Sequence, residues 1–144
     1  MKKWAYLVVL VAVFLYGYFP QKDLSETSGE IARPAANTIQ IAYETQQSDL
    51  QVSGEGRVVK ILPDDNQGSR HQRFILKINN GPSLLVAHNI DLAPRVQNLV
   101  KGDIITFFGE YEWNAKGGVL HWTHDDPQGR HANGWLKHDG KTYR

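Results

Sequence analysis

Eleven residues near the C-terminus, H-W-T-H-D-D-P-Q-G-R-H from His121 to His131, hold three of the six histidines in this 144-residue chain. The same window supplies Trp122, Asp125, Asp126 and Arg130. Imidazoles ligate transition metals and move protons near neutral pH, carboxylates add oxygen donors, and a guanidinium grips anions. The sharpest chemistry available is metal coordination, with His121, His124, Asp126 and His131 as nitrogen and carboxylate ligands for zinc. On a straight strand positions 121 and 124 face opposite sides. That ligand set therefore requires the strand to end or bulge at Thr123, and the D-D-P that follows permits it. The same residues fit two plainer roles, a polar network contacting a small ligand and solvated side chains.

A second group is assembled by pairing rather than by proximity in sequence. Arg70, His71 and Arg73 open one strand pattern, while His88, Asn89 and Asp91 close the next. An antiparallel hairpin turning at N-N-G-P (79–82) brings those distant ends side by side. Two readings follow: a cationic pocket for a phosphate or carboxylate with arginine as a bidentate donor, or an Asp91 ion pair with Arg70 or Arg73 that pins the loop. The widest ligand pocket expected from the chain joins both groups: Arg70, His71, Arg73, His88, Asp91, His121, Trp122, His124, Asp126, Arg130 and His131.

Other constellations carry less. Tyr111 and Trp113 share a strand face with Ile105 and Phe107 and read as core. Glu110 and Glu112 share the opposite face; such a pair suits acid–base work but reads more simply as an exposed strand face. Trp122 and His121 point to opposite sides, so one of the two is buried. Ser48, Ser53, Ser69 and Ser83 lie in turns or on the approach to a strand, and none sits in a nucleophile elbow. Gly117-Gly118 is a hairpin turn, not a phosphate loop.

The elements that must position these groups follow from pattern. Residues 50–144 read as one mainly β domain, a small five-stranded antiparallel OB-like barrel. Strands are expected at 52–62, 70–78, 83–88, 104–113 and 119–123, with a further hairpin at 134–143 around Asp139-Gly140. P-D-D-N-Q-G at 63–68 and N-A-K-G-G at 114–118 are turns, and 89–99, with Pro94, is a loop. Three strands, a short connection and two more strands is the order of an OB-fold. Residues 21–49 read as a polar linker ending in a short helix, with Asn37-Thr38 as its cap and Ile39, Ala42, Tyr43 and Gln46 at helical spacing.

Residues 1–20 read as a membrane anchor. Lys2-Lys3 precede an uncharged apolar run from Trp4 to Phe19, closed by Pro20. The lysines set an N-in orientation by the positive-inside rule. No small-x-small cleavage pattern follows, so an uncleaved anchor in the inner membrane is preferred to a cleaved signal, with the domain on the periplasmic or outer side. Removing Lys2 and Lys3 from the 16 basic residues leaves 14 against 15 acidic. Such a balance argues against a sequence-independent nucleic-acid binder, which needs a basic face. With no cysteine in the chain, disulfides, thiol nucleophiles and cysteine-zinc sites are excluded.

Four stretches carry a family likeness: G-E-G-R-V-V-K-I-L-P-D-D-N-Q-G-S-R-H-Q-R-F-I-L, A-H-N-I-D-L-A-P-R-V, G-E-Y-E-W-N-A-K-G-G-V-L-H-W-T-H-D-D-P-Q-G-R-H and G-W-L-K-H-D-G-K-T-Y. Over about residues 50–144 the chain resembles a bacterial domain-of-unknown-function family of short envelope-directed proteins, marked by the H-W-T-H and D-P segments. The resemblance implies a shared fold and shared site residues, and no activity. The family pattern often reads H-H-D-P where this chain has His124-Asp125-Asp126-Pro127, so any chemistry of that second histidine is missing here. The strand order is also similar to the barrel of thermonuclease-type domains, without their catalytic motif, which is an analogy of fold alone.

Three functions fit these residues: an anchored envelope module binding a small anionic or saccharide ligand, a metal-assisted hydrolase using the His121–His131 cluster, or a structural or assembly protein. Metal content separates the second from the others.

Overall fold

A computed structural model describes residues 35–144 of the chain. The expected anchor, 4–19, and most of the linker lie outside the described residues. Among the described residues no helix is long and apolar enough to cross a membrane.

Helix α1 (Ala35–Glu44) starts two residues before the expected Asn37 cap. Its Ile39 and Ala42, three apart, share one face and are buried in the core. Gln46 adopts φ 54°; its N–H reaches Tyr43 O at 3.3 Å, and Gln47 N–H reaches Ala42 O at 2.9 Å. This is a Schellman ending built without glycine. Trp113 Nε1 donates to Tyr43 O at 3.1 Å, and Trp113 N donates to Ser48 Oγ at 2.9 Å, which moors the helix to the sheet.

Seven strands follow: β1 (Leu50–Asp65), β2 (His71–Ile78), β3 (Ser83–Asn89), β4 (Ile104–Glu112), β5 (Val119–His121), β6 (Trp135–His138) and β7 (Lys141–Tyr143). They form one sheet in the order β1-β2-β3-β5-β4-β6-β7, and β4 also pairs with β1. The pairings β1-β2-β3-β5-β4-β1 thus close on themselves. The core lies on the side where Val58, Phe74, Leu76, Leu84, Val86, Ile105, Phe107, Tyr111, Leu120 and Leu136 alternate inward. Tyr111, read as core from its alternation, is fully buried.

Three expectations are corrected. The sheet is mixed, not five-stranded and antiparallel: β3 and β5 run parallel, through Leu85↔Val119 and Val86↔Leu120. The direction of β5 is set by its hairpin with β4, so it meets β3 with the same sense. Next, β1 continues through Pro63 to Asp65, where a turn was expected. The register shift between Leu62 and Asp65 absorbs the proline. Last, β5 stops at His121 rather than Thr123, because Trp122 turns into the left-handed region at φ 52°.

Candidate functional site

Strand β4 sets the geometry. Ile105, Phe107, Gly109 and Tyr111 point into the core, which leaves Glu110 and Glu112 on the outward face. The N-A-K-G-G turn, held by Asn114 Oδ1 accepting from Lys116 N and Gly118 N, returns β5 so that His121 faces Glu110. On the other edge β1 places Gln51 opposite Glu110. An outward row Gln51–Glu110–His121 therefore crosses three strands.

Polar contacts knit this row. His121 Nε2 lies 3.2 Å from Glu110 Oε1 and 3.6 Å from Glu112 Oε1. That nitrogen is shielded from solvent and has no hydrogen-bond partner in line. Glu110 Oε2 accepts from His131 Nε2 at 2.5 Å and from Gln51 Nε2 at 3.3 Å. Asp49 sits beside Glu112; a hydrogen bond to Glu112 and its like charge push the Asp49 carboxyl above the ordinary carboxylate value. Among the described residues no Lys or Arg forms an ion pair with Asp49, Glu110 or Glu112. Glu110 keeps only 14% of its side chain exposed, so the exposed strand face expected for the glutamate pair is half-buried.

The D-P loop delivers His131 to this row. Asp126 Oδ1 accepts from Gln128 N, and Oδ2 from Arg130 N and His131 N, at 2.7–2.9 Å. These N–H donors, Gln128 first, hold the Asp126 carboxyl below its ordinary value. Asp126 N in turn donates to Asn133 Oδ1. His131 stacks on Trp122, with ring centroids 4.1 Å apart and planes 7° apart. Trp122 also lies against His124, centroids 5.4 Å apart. His131 Nδ1 donates to Ala132 O at 2.9 Å while Nε2 faces a carboxylate. Both partners are acceptors, an arrangement that favours the charged form of the ring. Burial opposes that charge, and the bonds to Glu110 and Ala132 outweigh it, raising the pKa above 6.5.

The remaining residues singled out by sequence are distributed as follows. His121 and His131 meet at Glu110; His124, buried, gives Nδ1 to Asp125 O at 2.8 Å, and Asp126 is occupied by backbone N–H groups. The set His121, His124, Asp126 and His131 is thus divided between the Glu110 row and the scaffold of the loop. Arg130 is exposed and contributes its backbone N–H to Asp126. Arg70 pairs with Asp91 through Nε at 2.7 Å and N at 2.8 Å, which is the loop-pinning arrangement. Arg73 donates to Pro63 O, and His71 Nδ1 donates to Ser69 O. His88 is fully buried: Nε2 donates to Pro94 O at 3.0 Å, and Nδ1 accepts from Thr123 Oγ1 at 2.8 Å. Gln51, Asp49 and the role of the two glutamates escaped the sequence reading. Their one signal was the pairing of outward positions across β1, β4 and β5.

The family model described as "Protein of unknown function (DUF3465)" matches residues 26–144, and the chain belongs to that family. No curated protein matches the sequence.

Proposed function

We propose that this member of the family is a membrane-anchored protein of the cell envelope whose OB-like domain binds a small ligand on the outward Gln51–Glu110–His121 row. One observation carries the reading: strand β1 and the β4–β5 hairpin, distant from each other in sequence, gather an amide, carboxylates and imidazoles on a half-buried surface that the core does not use. The closed pairing β1-β2-β3-β5-β4-β1, with one loop between β3 and β4, supports an OB-like barrel. The row is rich in acceptors, so it suits a ligand that donates hydrogen bonds, such as a saccharide, or one that carries positive charge. An anionic ligand has less support, because Arg70 is paired with Asp91 and Arg73 is bonded to Pro63 O.

The anchor rests on Lys2-Lys3 and the apolar run Trp4–Phe19. Full-length protein is expected to stay with membranes through a high-salt wash and to leave them with detergent. Recovery from cells of a soluble form starting near Gln21 would count against it.

To test the site, the full chain in detergent is titrated with zinc chloride, N-acetylglucosamine and inorganic phosphate while tryptophan emission is followed. Zinc or the sugar is expected to change the emission in the parent and not in Glu110→Gln, and phosphate to do nothing. Silence toward all three, or a phosphate response abolished by Arg70→Ala, defeats the reading.

A further inference from the structure

We propose that Glu110, Glu112 and His121 form a binding site for a divalent transition-metal ion of the zinc class, with His131 and Trp122 holding Glu110 in position. The inference rests on the site assigned above and names its ligand. One ligand atom from each of the three residues lies within 4.8 Å of the others. Around a tetrahedral ion with bonds of ~2.0–2.1 Å, neighbouring ligand atoms stand about 3.3 Å apart. His121 Nε2 stands 3.2 Å from Glu110 Oε1 and 3.6 Å from Glu112 Oε1, already at that spacing.

The group is more than a patch of carboxylates. An imidazole nitrogen, closed to solvent and lacking an aligned hydrogen-bond partner, sits among the oxygens. A mixed nitrogen–oxygen set selects zinc-like ions over calcium or magnesium, which take oxygen ligands. The neighbouring Asp49 adds a further carboxyl beside Glu112, and no Lys or Arg among the described residues pairs with it. All three ligands stand on paired strands, so little reorganisation is needed when an ion arrives.

The second layer is built as metal sites build it. Ligating carboxylates are held by hydrogen bonds from outer residues. Here His131 Nε2 and Gln51 Nε2 both take Glu110 Oε2, leaving Oε1 on the His121 side. The stack of His131 on Trp122 and its bond to Ala132 O fix the orientation of that ring. Three protein ligands leave the fourth position of a tetrahedral ion to water or an exogenous group. Compared with the ligands expected from sequence, only His121 remains in direct contact, and His131 moves to the outer layer.

Calorimetric titration of the full chain in detergent with zinc chloride is expected to give one ion per chain. Glu112→Gln and His121→Asn should each weaken binding at least tenfold, and Glu55→Gln, on β1 away from the row, should leave it unchanged. His131→Gln should weaken it by about 10–100-fold and alter the visible spectrum of the cobalt(II) form. Should His121→Asn fail to fold by circular dichroism, Glu112→Gln, a near-isosteric change at a partly exposed side chain, decides alone. No saturable heat in the parent, or parental affinity in Glu112→Gln, overturns the metal site. An unchanged affinity and cobalt spectrum in His131→Gln overturns the brace. If zinc is silent while N-acetylglucosamine acts through Glu110, the metal is wrong and the binding surface stands; silence to both removes both.

Discussion

Gly134→Ala is expected to cost the domain on the order of 4 kcal/mol or more, the range of the most damaging single substitutions. A Cβ at this position would stand 1.9 Å from Trp122 O and 2.7 Å from Phe108 O. Both obstacles are backbone, and neither can retreat. Phe108 is held in the β4–β6 ladder opposite Trp135, and Trp122 is fixed in its left-handed turn with its ring on His131. Gly134 N also donates to His124 O at 2.9 Å, so the loop cannot swing outward without losing that bond. Since domains of this kind hold only ~5–15 kcal/mol in total, the melting midpoint should fall by roughly 15 °C or more. Gly129→Ala is the control. Its φ of +64° is strained for alanine but nothing lies within 4 Å, so about 1 kcal/mol is expected. Near-equal melting of the two variants would show that the loop yields where the backbone contacts say it cannot.

Acid should destabilise the fold between pH 6.5 and about pH 4, through His88. Burial, with His124, His71 and Arg95 adding to it against the bond to Pro94 O, lowers its pKa from 6.5 to about 4. The native state holds this ring neutral while the unfolded chain takes up a proton. Its contribution is therefore complete above pH 6.5 and lost as pH falls to about 4, a difference of about 3 kcal/mol. His131 has the opposite sign. Its pKa is raised, so its pairing with Glu110 is complete below 6.5 and declines as pH rises through the folded value. Asp91, Asp103 and Asp126 are held low and matter only as pH falls below the ordinary carboxylate value of 3.8. Stability should thus peak near neutrality and decline toward acid. Urea midpoints at pH 7 and pH 4.5 measure it: the parent should lose stability between them, and His88→Gln should be weaker at pH 7 but nearly flat. A flat parent would mean that His88 is protonated, or accessible, in the native state.

What the sequence disclosed depended on how local each pairing was. The alternation of Phe74, Leu76 and Ile78, the hairpin that joins β2 to β3, and the nearness of Asp91 to Arg70 and Arg73 followed from period two and one short turn; that Arg70 is the partner came from the structure. The site was lost by a single residue. A turn centred on Lys116 would set Glu110 opposite Trp122; the observed turn sets it opposite His121. One step of register moves every side chain to the other face, so the cluster of His121 with the glutamates was hidden behind an apparent cluster of histidines with each other. The parallel contact of β3 with β5, and the arrival of Gln51 from β1, are long-range and leave no local mark in composition or spacing. The D-P segment stood out because it is rich in chemistry. Its aspartate is spent on folding the loop.

Strand β1 belongs to two ladders at once, β2 along one edge and β4 along the other. A newly made chain can pair β1 with β2 as soon as their short connection exists, but the other edge stays open until β4 emerges and Leu50 can meet Tyr111. Closure is therefore a late, entropically slow event, of the kind that places such all-β folds in the millisecond-to-second range. Until then the edge that will receive Glu110 is an unpaired strand, open to association with other chains. Gln51 and Glu110 meet only at that closure, so the binding surface and the end of folding arrive in the same step.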